Sequence, residues 1–123
     1  MKKILVVDDE PHVSMLLKQF LERSNYQVEI AVNGQQALDK IAQELPDLLI
    51  VDIQMPKMNG IELCENINRV YPSLLKLIII MTSRTDVDIR IWAEPQQHIE
   101  LIEKPISMRR LTARLKEHFS SLD

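Results

Sequence analysis

A repeated change of period restricts the fold more than any other feature of this chain. Short apolar runs of strand length alternate five times with stretches in which apolar residues recur every three or four positions. "KILVVDD" (Lys3 to Asp9) is a continuous apolar run, the form taken by a strand covered on both faces, and is expected to be the central strand. After Pro11, which suits a helix's first turn, Val13, Leu16, Leu17, Phe20 and Leu21 follow helical spacing. "YQVEIAV" alternates through Val28, Ile30 and Val32, Asn33 and Gly34 are expected to turn the chain, and Ala37, Leu38, Ile41, Ala42 and Leu45 resume the helical period. "DLLIVD" is followed by a helix through Leu63, Cys64, Ile67 and Val70 that stops before Pro72. "KLIIIMT" leads to a short helix with Asp86 and Asp88 at its positive end, with Val87, Ile91 and Trp92 toward a core and Pro95 as its stop. A weaker strand, "IELIE" from Ile99, leads through Lys104 and Pro105 to a last helix with Met108, Leu111, Leu115 and Phe119 on one face. Five strand-helix units predict an α/β fold with one parallel sheet, helices on both faces and right-handed crossovers.

At 123 residues there is room for one such sheet, so residues 1–123 are expected to form one domain. With 46% hydrophobic and 27% charged residues and a net charge of −3, the composition points neither to a disordered acidic chain nor to a nucleic-acid-binding tail. The basic last helix, with Arg109, Arg110, Arg114 and Lys116, reads as a solvated face, so no nucleic acid is expected to bind. No apolar run approaches bilayer-spanning length, no leader pattern precedes the first strand, and the single Cys64 cannot form an internal disulfide. A cytoplasmic location without a membrane partner is expected. Cys64 lies on an apolar helix stripe and reads as core, while His12, His98 and His118 share no metal-ligand spacing and read as surface residues. Gly34 and Gly60 are the only glycines, which excludes a glycine-rich phosphate loop.

In open α/β sheets ligands bind at the carboxyl ends of the strands. There the first strand ends in Asp8 and Asp9, the third in Asp52 and the fourth in Thr82, and the fifth runs into Lys104. Carboxylates about 5 Å apart repel by ~3 kcal/mol per pair at an effective dielectric of 20, so the cluster calls for a cation. Magnesium suits it, being hard and content with one or two carboxylates plus phosphate oxygens and water. A carboxylate can also act as a nucleophile toward a phosphoryl group, with metal and lysine on the phosphoryl oxygens and the Thr82 hydroxyl as donor.

"VVDDE", "VDIQMPKMNG", "MTS" and "EKP", in order and at fitting intervals over the whole chain, resemble the receiver domain of bacterial two-component response regulators. The resemblance implies a (βα)5 flavodoxin-like receiver fold in which Asp52 accepts phosphate from a histidine kinase or phosphotransfer protein. Such a domain is not a conventional enzyme; it phosphorylates itself from phosphodonors with Mg2+ and slowly dephosphorylates itself. It further implies metal binding by Asp8, Asp9, Asp52 and the backbone carbonyl of Gln54, with Asp9 the more direct ligand. Thr82 matches the switch hydroxyl, Lys104 the phosphate-binding lysine, Lys104–Pro105 a cis peptide, and Pro56 and Gly60 the loop after the nucleophile. Gln54 and Arg84 match positions that modulate hydrolysis. The implied output is docking to a downstream protein or effector domain, with a homodimer as one form of it. The chain is expected to be either a stand-alone receiver or the N-terminal part of a longer protein.

The chain departs from the family where the switch is read. Leu101 stands where an aromatic residue is usual, "EPQQHIE" replaces a small pair just upstream, and "KPI" replaces "KPF". These changes shift the expected readout to Leu101 and to the segment around Trp92 and Pro95. They also leave open a receiver-like interaction module that no longer switches. The other alternative is a magnesium-dependent phosphatase with an aspartyl nucleophile. The spacing of Asp8, Asp9 and Glu10 argues against it.

Overall fold

A computed structural model describes residues 1–55, 57–72, 77–83 and 87–122. Five strands and five helices alternate among them: β1 Lys3–Val7, α1 Pro11–Arg23, β2 Gln27–Ala31, α2 Gly34–Gln43, β3 Leu48–Asp52, α3 Gly60–Val70, β4 Ile78–Thr82, α4 Val87–Ala93, β5 Ile99–Glu103 and α5 Met108–Leu122. The strands form one parallel sheet in the order β2-β1-β3-β4-β5. This is the expected flavodoxin-like fold. β1 is an interior strand, but β3 takes the centre that the sequence had suggested for β1.

Successive side chains of a strand point to opposite faces, so a continuous apolar run serves two cores. Ile4, Val6, Leu48, Ile50, Ile79 and Met81 pack with α1 (Leu17, Leu21) and α5 (Leu111, Leu115, Phe119). Leu5, Val7, Leu49, Val51, Ile78 and Ile80 pack on the other face with α2 (Ala37, Ile41), α3 (Leu63, Cys64, Ile67) and α4 (Ile89, Ala93). Each fully buried Leu or Ile contributes roughly 1.5–3 kcal/mol, more than a helix cap supplies.

Asn33 turns the chain as expected, as the N-cap of α2 with its side chain accepting the Gln36 N–H at 2.8 Å, and Gly34 is the first helical residue. Two local expectations give way to the packing. In α4, Ile89 and Ala93 are buried and Trp92 packs half-buried against the core as expected, whereas Val87 and Ile91 are 61% and 65% exposed, so the core takes the Ile89–Ala93 side rather than the Val87–Ile91 side. The exposed pair and the buried pair share the same four-residue spacing, and only the sheet selects between them. In β2, Val28 and Ala31 are buried but Val32 lies beyond the strand and is exposed, because β2 is an edge strand.

Candidate functional site

The strand order reverses direction at β1 and β3. The helices that follow these two strands, α1 and α3, leave to opposite faces and open a crevice at the carboxyl edge. Asp8 follows β1 directly and Asp52 is the last residue of β3, each only 1% exposed. Asp8 falls in step with Ile4 and Val6, and Asp52 with Leu48 and Ile50, so alternation sends both carboxylates to one side. Lys104, just past β5, donates from Nζ to Asp52 Oδ1 at 2.9 Å, and the Gln54 backbone N–H donates to the same oxygen at 3.2 Å.

Asp8 Oδ1 accepts the Glu10 backbone N–H at 2.9 Å, a turn that carries Glu10 back toward the pocket. Carboxylate oxygens of Asp8, Glu10 and Asp52 then lie within 4.8 Å of one another. Asp8 Oδ2 is buried and finds no hydrogen-bond partner among the described residues. Burial pushes the Asp8 carboxyl above its ordinary value, and the Asp52 and Glu10 charges add to this. The Glu10 N–H and the Lys104 charge oppose it without cancelling it. Three hard oxygen donors with one buried oxygen unpaired fit a hard divalent cation.

The other expected residues fall around this centre. Asp9 is exposed and stands outside the three-carboxylate group; it lines an adjoining open cleft of about 580 Å³ with Gln54, Met55, Asn59 and Asp88. Gln54 is exposed. Glu10, whose place in the pocket the sequence reading missed, had one signal: it is the third acid of "DDE", two residues after Asp8.

Thr82 is fully buried and falls in step with Ile78 and Ile80, which face the side of the sheet packed by α2, α3 and α4; its hydroxyl donates to the Ser83 carbonyl at 3.4 Å. Leu101 pairs in register with Ile80, and both Leu101 and Trp92 pack, half-buried, against the core under α4. Thr82, Leu101 and Trp92 therefore share one side of the sheet. Arg90 pairs with Glu103, the register partner of Thr82, and so ties α4 to β5.

The Lys104–Pro105 peptide is cis. Gly60 is the first residue of α3 behind its N-cap Asn59, which forms a reciprocal capping box with Glu62. Pro56, Arg84 and Asp86 lie outside the described residues. Cys64 is fully buried and burial pushes its thiol up to about 12, which excludes a thiolate nucleophile at neutral pH. His118 corrects the surface reading: it is 7% exposed, packed 5.1 Å from the Phe119 ring, and burial together with Arg114 lowers its pKa. Its place on α5 follows the same apolar stripe as Leu111 and Leu115. No helix among the described residues is long and apolar enough to cross a membrane.

Residues 4–116 match the family model of the response regulator receiver domain. The chain is 37% identical over 115 residues to the alkaline phosphatase synthesis transcriptional regulatory protein PhoP of Bacillus subtilis, covering 94% of this chain and 47% of that protein. It is 34% identical over 114 residues to the response regulator MprA of Mycobacterium avium, covering 93% and 49%. The chain thus spans about half the length of these curated relatives. Among solved structures, a CheY-like receiver domain protein from Methanospirillum hungatei superposes with a TM-score of 0.87 at 31% identity, covering 98% of this chain and 95% of that one. A two-component response regulator from Clostridium difficile gives a TM-score of 0.90 at 25% identity over 100% and 99% of the two chains. Because the family match runs from β1 into α5, and so takes in every strand end that bears a site residue, the chain belongs to the response regulator receiver domains.

Proposed function

We propose that this chain takes a phosphoryl group onto the Asp52 carboxylate from a histidine kinase or phosphotransfer protein and changes its contacts with a downstream partner as a result. The observation that carries this reading is the setting of Asp52. It is buried at the carboxyl edge, and its Oδ1 is held by Lys104 and the Gln54 N–H. That leaves Oδ2 to form the new O–P bond while the bond from phosphorus to the donor breaks. The Lys104 ammonium neutralises charge on the phosphoryl oxygens. Magnesium held by Asp8 and Asp52, with Glu10 or Asp9 and the Gln54 carbonyl completing the protein ligands, supplies further positive charge when bound. Gln54 and Arg84 control the approach of water to the acyl phosphate.

This reading treats residues 1–123 as one receiver unit in the cytoplasm, with an effector domain or separate protein, or a second copy of the chain, as the downstream partner. The family match disfavours the phosphatase alternative. In the test, acetyl phosphate with magnesium labels the protein with one phosphoryl group per chain, and chelation of magnesium removes the labelling. A protein that takes no label under saturating donor and metal would refute the proposal.

The packing of Trp92 against the core supports a readout there. Thr82, drawn toward a charged phosphoryl acceptor on Asp52, leaves space on the side it shares with Leu101 and Trp92. Leu101 has no polar tip, so α4, whose described residues are Val87–Ala93 with Val87 and Ile91 exposed, takes up the change. Beryllofluoride with magnesium is expected to change Trp92 fluorescence. An unchanged spectrum at saturation would favour the non-switching module.

A further inference from the structure

The chain has two glycines, and both stand under the same loop. Gly60 closes the loop after β3: its N–H donates to the Ile53 carbonyl at 3.1 Å, and a methyl group on it would lie 3.0 Å from Ile53 Cα and 3.1 Å from the Asp52 carbonyl. Gly34 belongs to a different element, the first turn of α2. A methyl on Gly34 would lie 2.6 Å from Met58 Sδ and 2.9 Å from Met58 Cβ and Cγ. Contacts that short do not occur, and since one colliding atom is Cβ, rotating the methionine side chain cannot relieve them all.

Gly34 has no positive φ, so its backbone does not call for glycine. As the first residue of α2, directly after the N-cap Asn33, it sits where most residue types are accepted, so the helix does not call for glycine either. The missing side chain is explained by Met58, which occupies the space. Met58 Sδ also meets Asn66 of α3, whose Nδ2 lies 3.7 Å away and donates to the Glu62 carbonyl at 3.0 Å. The thioether is thus seated between α2 and α3, and it also packs on the core beneath. Lys57, next to it, has a φ of 70°, a conformation that an L side chain rarely adopts without support from its surroundings.

We infer that Gly34 is a positioning residue for the phosphoacceptor site: by admitting Met58 against α2, it sets the loop that carries Gln54 behind Asp52. The inference rests on the reading of Asp52 and its metal ligands given above. Gly34 touches neither metal nor phosphoryl group. It acts through Met58 on the loop whose Gln54 N–H donates to Asp52 Oδ1 and whose Gln54 carbonyl would be one of the metal ligands in the proposed set. Positioning groups behind metal ligands commonly govern affinity by tenfold or more.

The test is a double-mutant cycle on the full chain with Gly34→Ala, Met58→Ala and the pair, and with exposed Gln35→Ala as control. The dissociation constant for magnesium alone and the amide exchange of Gln54 in metal-free protein are measured beside the urea midpoint. Gly34→Ala is expected to weaken magnesium by about tenfold and to speed Gln54 exchange, with some fall in the urea midpoint because the loop must shift to clear the methyl. In the Met58→Ala background, which removes two of the three colliding atoms, the same change at position 34 should have less than half that effect on a logarithmic scale. Gln35→Ala should match wild type. Wild-type magnesium affinity in Gly34→Ala, or effects of the two substitutions that simply multiply, would overturn the inference. If Gly34→Ala does not fold, Met58→Ala alone decides it: unchanged Gln54 exchange and magnesium affinity refute the role. A wild-type chain that binds no magnesium fails the underlying site reading instead, and so is told apart from failure of the Gly34 role.

Discussion

Asp52→Asn will lower phosphoryl labelling from acetyl phosphate by more than about a thousandfold, the scale of loss when a nucleophile that acts with its neighbours as a unit is removed. Asparagine keeps the shape of the carboxylate and offers Lys104 and the Gln54 N–H an oxygen acceptor. The nucleophilic charge is lost, and with it the ability to form the acyl phosphate. The fold should survive. Removing the Asp52 charge weakens its ion pair with Lys104 but also relieves the repulsion it exerts on Asp8, so the two effects oppose each other. The urea midpoint should therefore change by no more than about 1 kcal/mol in free energy. Labelling is measured with radioactive donor at saturating magnesium. Wild-type labelling in a folded Asp52→Asn protein would remove Asp52 from the chemistry.

Asp8→Asn is expected to act in opposite directions on metal binding and on stability. Asp8 is 1% exposed, one of its oxygens is unpaired, and its pKa is raised, first by burial and then by the Asp52 and Glu10 charges. A carboxyl raised in the folded state favours folding fully only below its unfolded value near 3.8, and that contribution is lost as pH rises through the folded value. At neutral pH the buried carboxylate is therefore a net cost to the metal-free protein. The neutral amide should stabilise the metal-free chain by about 1–2 kcal/mol at pH 7, and the gain should shrink toward zero below about pH 4. Magnesium affinity should fall by about 10–100-fold. Because a ligand stabilises only the form that binds it, adding magnesium should narrow or reverse the stability difference between the two proteins. Urea titrations at two pH values, each with and without magnesium, measure all of these effects. A mutant less stable than wild type in the absence of metal, or one with unchanged affinity, would show that the Asp8 charge is compensated in the fold and is not held for a cation.

The fold class and the edge that bears the site were legible in the sequence, because both depend on local properties. The change between strand and helix period is written into each window of the chain, and a polar residue ending an apolar run marks the end of a strand wherever that strand later sits. Asp8, Asp52, Thr82 and Lys104 could thus be placed at strand ends before any packing was known. Tertiary structure decided what depends on contacts between distant segments. A local turn, in which the Glu10 N–H closes on Asp8 Oδ1, directs Glu10 inward, but only the pairing of β1 with β3 brings both carboxylates to Asp52. Strand register pairs Asp52 with Met81, the residue before Thr82, so alternation sends Thr82 and Asp52 to opposite faces of the sheet. In α4 the sheet selects Ile89 and Ala93 over Val87 and Ile91, although both pairs have helical spacing. The reason for a glycine at position 34 is a methionine twenty-four residues later, which only the packing of α2 against the loop after β3 brings into contact. Period and composition carry information along the chain. They do not specify which of several chemically equivalent residues the folded backbone turns inward, because that choice is made by the neighbours that arrive from elsewhere in the sequence.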